Sequence, residues 1–241
     1  MESKVLKNCN ERITQYGVSL EQALRKQMKT SAKILVKGKW ASATQDMILK
    51  YLTPENYNSG VFKYQFLDLS ESADVTKEEL NNFLKGKGVL EAKGDIYLRA
   101  SKKYKISEVY LAAHSALETG NGTSKLAIGV LIKGIKVYNM YGINALDRDP
   151  ITYGSEFAYR MGWTTPEKAI EEGAKWISKQ YINNPLYKQN TLYKMRWNPQ
   201  APGTHQYASD ISWAINQTKS IKKMYDNFRN AALKFDIPRY K

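Results

Sequence analysis

The sequence predicts a mainly α fold of the α+β kind, in which one small β-hairpin interrupts a series of helices. Three observations predict it. The run Ser107–Gly122 opens on a capping serine, continues almost wholly apolar and stops at Gly120 and Gly122. It reads as a helix buried on most sides. Capping boxes at Ser19-Leu20-Glu21-Gln22 and Thr76-Lys77-Glu78-Glu79 each open a stretch with helical apolar spacing. Finally, Gly129–Tyr138 alternates apolar and polar residues around Gly134, the pattern of a hairpin.

Taken in order, residues 1 to about 50 read as helices. Leu20, Ala23, Leu24 and Met28 keep helical spacing, Ile34-Leu35-Val36 follow as an apolar run, and Met47, Ile48 and Tyr51 suggest a short helix. That helix should end before Pro54, because the residue preceding proline avoids helical geometry. Residues 55 to 75 read as loop or extended chain. A short helix follows Thr76 and is broken by Gly86-Lys87-Gly88, where a boundary divides an N-terminal helical lobe (1–85) from the main lobe (86–241). Helices are expected over 90–104 and 107–118, then the hairpin. Next comes an acidic loop with Asp147, Asp149 and Pro150, leading to Glu156 in a Gly/Ser-flanked segment. Thr165-Pro166-Glu167 has the form of an N-cap, an N1 proline and a first-turn acid, opening a helix to about Tyr181. Residues 183–206 read as loop with one helical turn near Leu192-Tyr193. A last long helix is expected from Ser209-Asp210, through Ile211, Ile215, Ile221, Tyr225 and Phe228 to Ala232.

The chain has 241 residues, 42% of them hydrophobic and 12% aromatic, enough for the core of one large or two small domains. Its net charge of +14 points to a polyanionic partner: nucleic acid, anionic membrane or anionic cell-wall polymer. The same charge could serve solubility alone. A single cysteine, Cys9, excludes an internal disulfide framework. With His114 and His205 as the only histidines, neither a zinc site nor a zinc-protease helix is expected. No leader-like apolar region opens the chain, and no run approaches the ~18 apolar residues of a membrane span. The chain reads as soluble, and as a domain that could be cut from a longer secreted protein.

Chemistry concentrates at Glu118. A carboxylate at the end of a buried helix loses hydration and meets the negative end of the helix dipole. Both effects raise its pKa, as a general acid near neutral pH requires. The Thr119-Gly120-Asn121-Gly122 turn is expected to be flexible and to open a space beside it. Pattern alone also allows a plain solvated glutamate at a helix end.

A buried helix ending on Glu118, a small hairpin and an aromatic-rich helical remainder resemble the lysozyme-like architecture. Leu117-Glu118-Thr119-Gly120-Asn121-Gly122-Thr123-Ser124 resembles the motif that carries the catalytic glutamate of glycoside hydrolase family 73. Val137–Ile143, Gly162–Ile170 and His205–Asp210 resemble that family's later segments, in the same order. The likeness runs over about 85 to 235, with a weaker match near Tyr51–Pro54. It is to the glucosaminidase domains of large Gram-positive autolysins, a clostridial one among the candidates. The resemblance implies an endo-β-N-acetylglucosaminidase that cleaves the β-1,4 bond of peptidoglycan after N-acetylglucosamine, with no cofactor and no metal. It also implies a secreted, wall-associated domain of a longer protein whose signal peptide lies outside this chain. Its partners would be glycan strands and anionic wall polymers, not nucleic acid or membrane, and it would act as a monomer.

The resemblance assigns Glu118 as general acid and sets Tyr207 beside the sugar. There its hydroxyl would orient the 2-acetamido group or support charge at the anomeric carbon. Asp210 follows in the same motif and could equally be a helix cap. Glycosidases normally use two carboxylates. Glu156 is the first candidate for the second, with Asp147 and Asp149 behind it. A substrate acetamido oxygen could instead attack the anomeric carbon, so that no protein nucleophile is needed. Tyr138, Tyr141, Trp163 and Trp197 are candidate stacking platforms for pyranose faces, and Asn139 a candidate ligand of an N-acetyl group. His114 is expected to be a hydrogen-bonded core residue. Two alternatives remain: a lytic transglycosylase on the same fold, and a non-catalytic basic module that binds cell wall or nucleic acid.

Overall fold

The computed structural model describes residues 9–146, 148–229 and 231–241. Helices dominate, and strands form three two-stranded sheets among the described residues. No described helix is long and apolar enough to cross a membrane. The chain divides into two compact units. One comprises residues 1–70, 180–226 and 231–241; the other comprises 71–179 and 227–230. The sequence-based boundary at 85/86 therefore lies within the second unit, and the C-terminal third of the chain returns largely to the first.

The first unit opens with β1 (Cys9–Gln15) and α1 (Leu20–Gln27). Both halves of the Ser19–Gln22 capping box are formed. Ile34-Leu35-Val36 is not helical: β2 (Lys33–Val36) pairs antiparallel with β3 (Lys39–Ser42). Lys37 and Gly38 both take positive φ, 47° and 77°, as a two-residue primed hairpin turn requires. Next, α2 (Gln45–Leu52) starts on Thr44 and ends at Thr53, ahead of Pro54. Two 3₁₀ segments then run over 54–57 and 60–66, where loop was expected.

The second unit carries α3 (Lys77–Leu84), with both halves of the Thr76–Glu79 box formed, then α4 (Gly94–Tyr104), α5 (Glu108–Glu118) and α6 (Lys125–Ile128). The expected hairpin follows as β4 (Val130–Ile132) and β5 (Ile135–Val137). The Gly/Ser-flanked segment around Glu156 proves to be a helix, α7 (Pro150–Arg160), capped by Asp149. Then α8 (Pro166–Ile177) packs along α4, with Lys93 bonded to Glu167 and Lys103 to Glu171 at 2.7 Å.

Back in the first unit, α9 (Leu192–Trp197) forms at the helical turn expected near Leu192-Tyr193, and α10 (Trp213–Asn216) and α11 (Thr218–Asn227) replace the single long helix expected from Ser209. The expected helix runs to Ala232, past the end of α11, and the unanticipated strand β6 (Leu233–Arg239) follows, parallel to β1 in the register Cys9↔Leu233 to Gln15↔Arg239. Asp236 of β6 anchors a buried polar hub, accepting from Lys194 Nζ (2.7 Å), Asn190 Nδ2 (3.1 Å), Thr14 Oγ1 (2.5 Å) and Arg12. Burial alone would raise its pKa, but the Lys194 ammonium and these hydrogen bonds outweigh that and hold it at about 2.

The turn after α5 is fixed, not flexible. Gly120, Asn121 and Gly122 take φ of 54°, 59° and 76°. Gly122 O accepts from Val89 N at 3.3 Å, and a Cβ on Gly122 would stand 2.2 Å from Lys87 O. A Cβ on Gly120 would meet nothing nearer than Thr123 Oγ1 at 3.7 Å. Gly120→Ala should therefore carry only left-handed strain, about 1–2 kcal/mol. Gly122→Ala should add overpacking of about 1–3 kcal/mol. Urea denaturation of the two variants beside wild type checks the order; equal losses would mean that the 87–90 loop yields freely.

Candidate functional site

Helix α5 is buried from Glu108 to Ala116. Its hydroxyl-bearing residues are used internally: Ser107 accepts from Tyr110 N at 3.3 Å, and the Ser115 and Tyr97 hydroxyls lie 2.6 Å apart. Tyr110, His114 and Tyr141 stack in sequence, with ring centroids 5.2 and 5.9 Å apart and planes within 17° of parallel. His114 is thus a core residue, as expected.

One turn beyond it, the Glu118 side chain keeps 30% of its surface open, with Oε1 3.9 Å from His114 Nδ1. On its other side runs the backbone of Gly142, where a Cβ would stand 2.9 Å from Oε2. Gly142 also has φ of 61°, the left-handed region that favours glycine. The carboxyl is reachable yet ringed by protein atoms, and desolvation pushes its pKa up to about 7.

The segment that brings Gly142 to Glu118 is shaped by Asn139. The Asn139 Nδ2 donates to Ile143 O (2.8 Å) and Gly154 O (3.2 Å), and its Oδ1 accepts from Tyr141 N (3.3 Å) and Ile143 N (3.2 Å). This corrects the expectation of an N-acetyl ligand. The side chain is buried and spends its two donors and two acceptor sites on backbone. Tyr141 is 1% exposed and donates its hydroxyl to Ile170 O at 3.2 Å. Trp163 is fully buried, edge-on to Phe157 at 5.5 Å. Both are core aromatics with no face for a sugar. Tyr138 is half-buried, lies against Gly129 and has the Lys136 ammonium 5.8 Å from its ring.

Among the acids, Asp149 accepts from Thr152 N at 3.2 Å as the cap of α7, which lowers its pKa. Glu156 is exposed, on the face of α7 opposite Gly154 and Ala158, which are buried. Asp147 lies outside the described residues. Among the described residues, no group of three His, Cys, Asp or Glu side chains is placed to hold a metal ion.

In the first unit, Tyr207 is half-buried, with its N–H donating to Met195 O at 2.9 Å. Its ring lies between Tyr181 (5.0 Å) and Trp213 (4.8 Å). Gln189, fully buried, organises the approach to it. Its Nε2 donates to Lys194 O, Met195 O and His205 O, so Oε1 faces His205 Nδ1 at 2.8 Å, a geometry that suits the tautomer with its proton on Nδ1. Asp210 is a turn-former: Oδ1 accepts from Ser212 N (2.9 Å) and Oγ (2.8 Å). Trp197 is 1% exposed under the Arg196 guanidinium at 4.1 Å, again core and not platform. Sequence reasoning did not single out Gln189, Tyr181, Trp213 or Arg196. An aromatic every few residues between Tyr181 and Trp213 was the available signal.

Residues 94–226 match the sequence model of a family described as Glucosaminidase, mannosyl-glycoprotein endo-beta-N-acetylglucosaminidase. The chain is 45% identical over 204 residues to the Beta-N-acetylglucosaminidase of Bacillus subtilis (strain 168), covering 84% of this chain and 23% of that protein. Staphylococcus aureus glucosaminidase B aligns in structure with a TM-score of 0.79 at 40% identity, over 97% of this chain and 95% of that one. A catalytic glutamate-to-alanine mutant of Staphylococcus aureus autolysin E, in complex with the disaccharide NAG-NAM, aligns at 0.78 and 34% identity, over 93% and 99%. This chain spans less than a quarter of the length of the curated relatives it matches.

Glu118 has a stability signature. Unfolded, it titrates near its ordinary value of 4.5; folded, at about 7. Between those values the folded state binds the extra proton, so stability falls as pH rises from about 4.5 to 7 and is flat above. Glu118→Gln removes the penalty. It should be more stable than wild type at pH 8, by about 1 kcal/mol after allowing for solvent screening, with the advantage shrinking towards pH 4.5. Paired denaturation curves at the two pH values check this; a pH-independent difference would mean that the carboxyl is not desolvated.

Proposed function

The chain belongs to the glucosaminidase family, and from that premise we propose that it is an endo-β-N-acetylglucosaminidase of peptidoglycan, with Glu118 as its general acid. The single observation that carries the assignment is the Glu118 carboxyl, raised to about 7 at the end of a buried helix, within the segment that matches the family. Protonated near neutral pH, it can give its proton to the glycosidic oxygen as the β-1,4 bond after N-acetylglucosamine breaks. The leaving sugar departs as an alcohol, and positive charge develops at the anomeric carbon.

The charge is then met by water or by the substrate's own acetamido oxygen. The position of Glu156, exposed on the outer face of α7, and the use of Asp149 as a cap favour the acetamido route. In that route the hydroxyl of Tyr207, whose ring packs against Tyr181 and Trp213, would orient the acetamido group. The relative that holds NAG-NAM supports peptidoglycan as the substrate class, and the kinship with autolysins supports action at the Gram-positive cell wall. Tyr138 is the remaining stacking candidate in the second unit.

Glu118→Gln should lower cleavage of purified cell walls by roughly 10²–10⁴-fold. Wild-type kcat/KM should fall as pH rises through about 7. Glu156→Gln should cleave like wild type, and Tyr207→Phe should lose kcat more than KM. Mass spectrometry of the products should show reducing N-acetylglucosamine ends. Anhydro-muramic ends would reassign the chain as a lytic transglycosylase, and wild-type lysis by Glu118→Gln would remove that residue from its role.

A further inference from the structure

The hairpin of β2 and β3 lies outside the family-matched segment and outside everything assigned above. It is unusually apolar for an exposed element: Leu35, Val36 and Trp40 are 53%, 43% and 58% exposed. The register sets Leu35 directly opposite Trp40, so the two side chains share one face, and Lys33 shares that face at the hairpin base. From Lys29 to Thr44 the chain has four lysines and no acid.

The hairpin is tied to the Tyr207 segment. Lys33 N donates to Ser209 O at 3.0 Å and Ile211 N to Lys33 O at 2.9 Å, a parallel bridge onto Asp210. Buried Arg196 donates to the same Ser209 O at 3.1 Å and to the neighbouring Asp210 O at 2.8 Å. Residues 207–211 are therefore gripped between α9 and β2, and the hairpin continues outward from them. A two-stranded hairpin has little stability of its own. Solvating a tryptophan and a leucine on it adds nothing to folding and invites association.

We propose that this hairpin is an outer subsite for the glycan strand. Trp40 and Leu35 offer a flat apolar face to a pyranose ring, and Lys33 and Lys37 attract the carboxylates of the stem peptides. The ligand class follows from the pairing of features. A pyranose has an apolar face that matches an indole, and a carboxylate-bearing strand matches a strip of lysines. This rests on the reading of the chain as a peptidoglycan glucosaminidase, but it can fail separately.

The test uses the full chain carrying Glu118→Gln, so that binding to purified sacculi is measured without cleavage. Adding Trp40→Ala should raise the apparent Kd about tenfold. Adding Lys33→Gln and Lys37→Gln together should weaken binding at low salt and change little at about 0.5 M salt. Leu186→Ala, at a residue 72% exposed in the same unit, should stay within about twofold of the parent, which separates a subsite from general stickiness. Circular dichroism should show each variant folded, as expected for changes at exposed positions. Unchanged binding by Trp40→Ala overturns the proposal. So does a Trp40 effect that disappears when teichoic acids are stripped from the sacculi, since the hairpin would then be reading phosphates. Wild-type chain that binds through Trp40 without releasing N-acetylglucosamine ends would sink the glucosaminidase reading and leave the hairpin's binding standing.

Discussion

Desolvation at one end of α5 is the interaction on which the rest depends. The helix carries a glutamate at each end, and the two are treated oppositely. Glu108, in the first turn, is fully buried; its Oε1 accepts from Ala73 N (2.9 Å) and Ser72 Oγ (3.1 Å), and its Oε2 from Ser101 Oγ (2.9 Å). It also sits at the positive end of the helix dipole. Glu118 sits at the negative end, with the Gly142 backbone against Oε2 and His114 beyond hydrogen-bond reach of Oε1. One helix thus carries two acids, one buried and satisfied as structure and one, still reachable, left with a reason to hold its proton. The neighbours serve that difference. Asn139 spends its whole amide shaping the segment that delivers Gly142, and the left-handed turn at Gly120–Gly122 stops the helix where Glu118 can still be reached.

Much of this was legible because it is local. Capping boxes, the buried helix and the glycine that stops it are written within a few residues, and so is the β4–β5 hairpin. What failed depends on distant partners. The pairing of β1 with β6 joins Cys9 to Leu233, and nothing near either residue announces it. Phe228 and Ala232 keep helical spacing, so the last helix is extended past Asn227 up to the edge of β6, and β6 itself goes unannounced. Helix α7 was missed because Gly154 and Ser155 are poor helix formers. The glycine is there because a Cβ would meet Leu126 Cδ1 at 2.9 Å, a tertiary reason invisible in the sequence. Aromatics failed for a related cause. Trp163, Trp197 and Tyr141 have the composition of a sugar platform, but only burial separates a platform from a core.

The charge distribution gives the +14 net charge a physical sense. Several acids are already paired with cations: Asp236 with Lys194 and Arg12 in the core, and Glu167 with Lys93 and Glu171 with Lys103 nearer the surface. Each of these pairs cancels a cation with its acid, so the excess of lysine and arginine remains as net positive charge. Such a field acts over roughly 10 Å before salt screens it. It can hold a protein near an anionic polymer, but it has no direction and cannot choose which bond to present.

Direction has to come from short-range shape, and the aromatic content is divided accordingly. Most rings are spent on rigidity, as in the Tyr110–His114–Tyr141 stack behind Glu118 and the Tyr181–Tyr207–Trp213 cluster. A smaller number stay in reach of solvent. For the proposed substrate, an insoluble polymer, this division is sensible. Substrate is always locally abundant, so uniform binding gains little, and affinity is useful chiefly where it aligns the scissile bond with the acid. On the proposed reading, a single proton donor fixed by a packed helix, with charge for retention and a few exposed faces for alignment, would meet those requirements without a second ionised carboxylate.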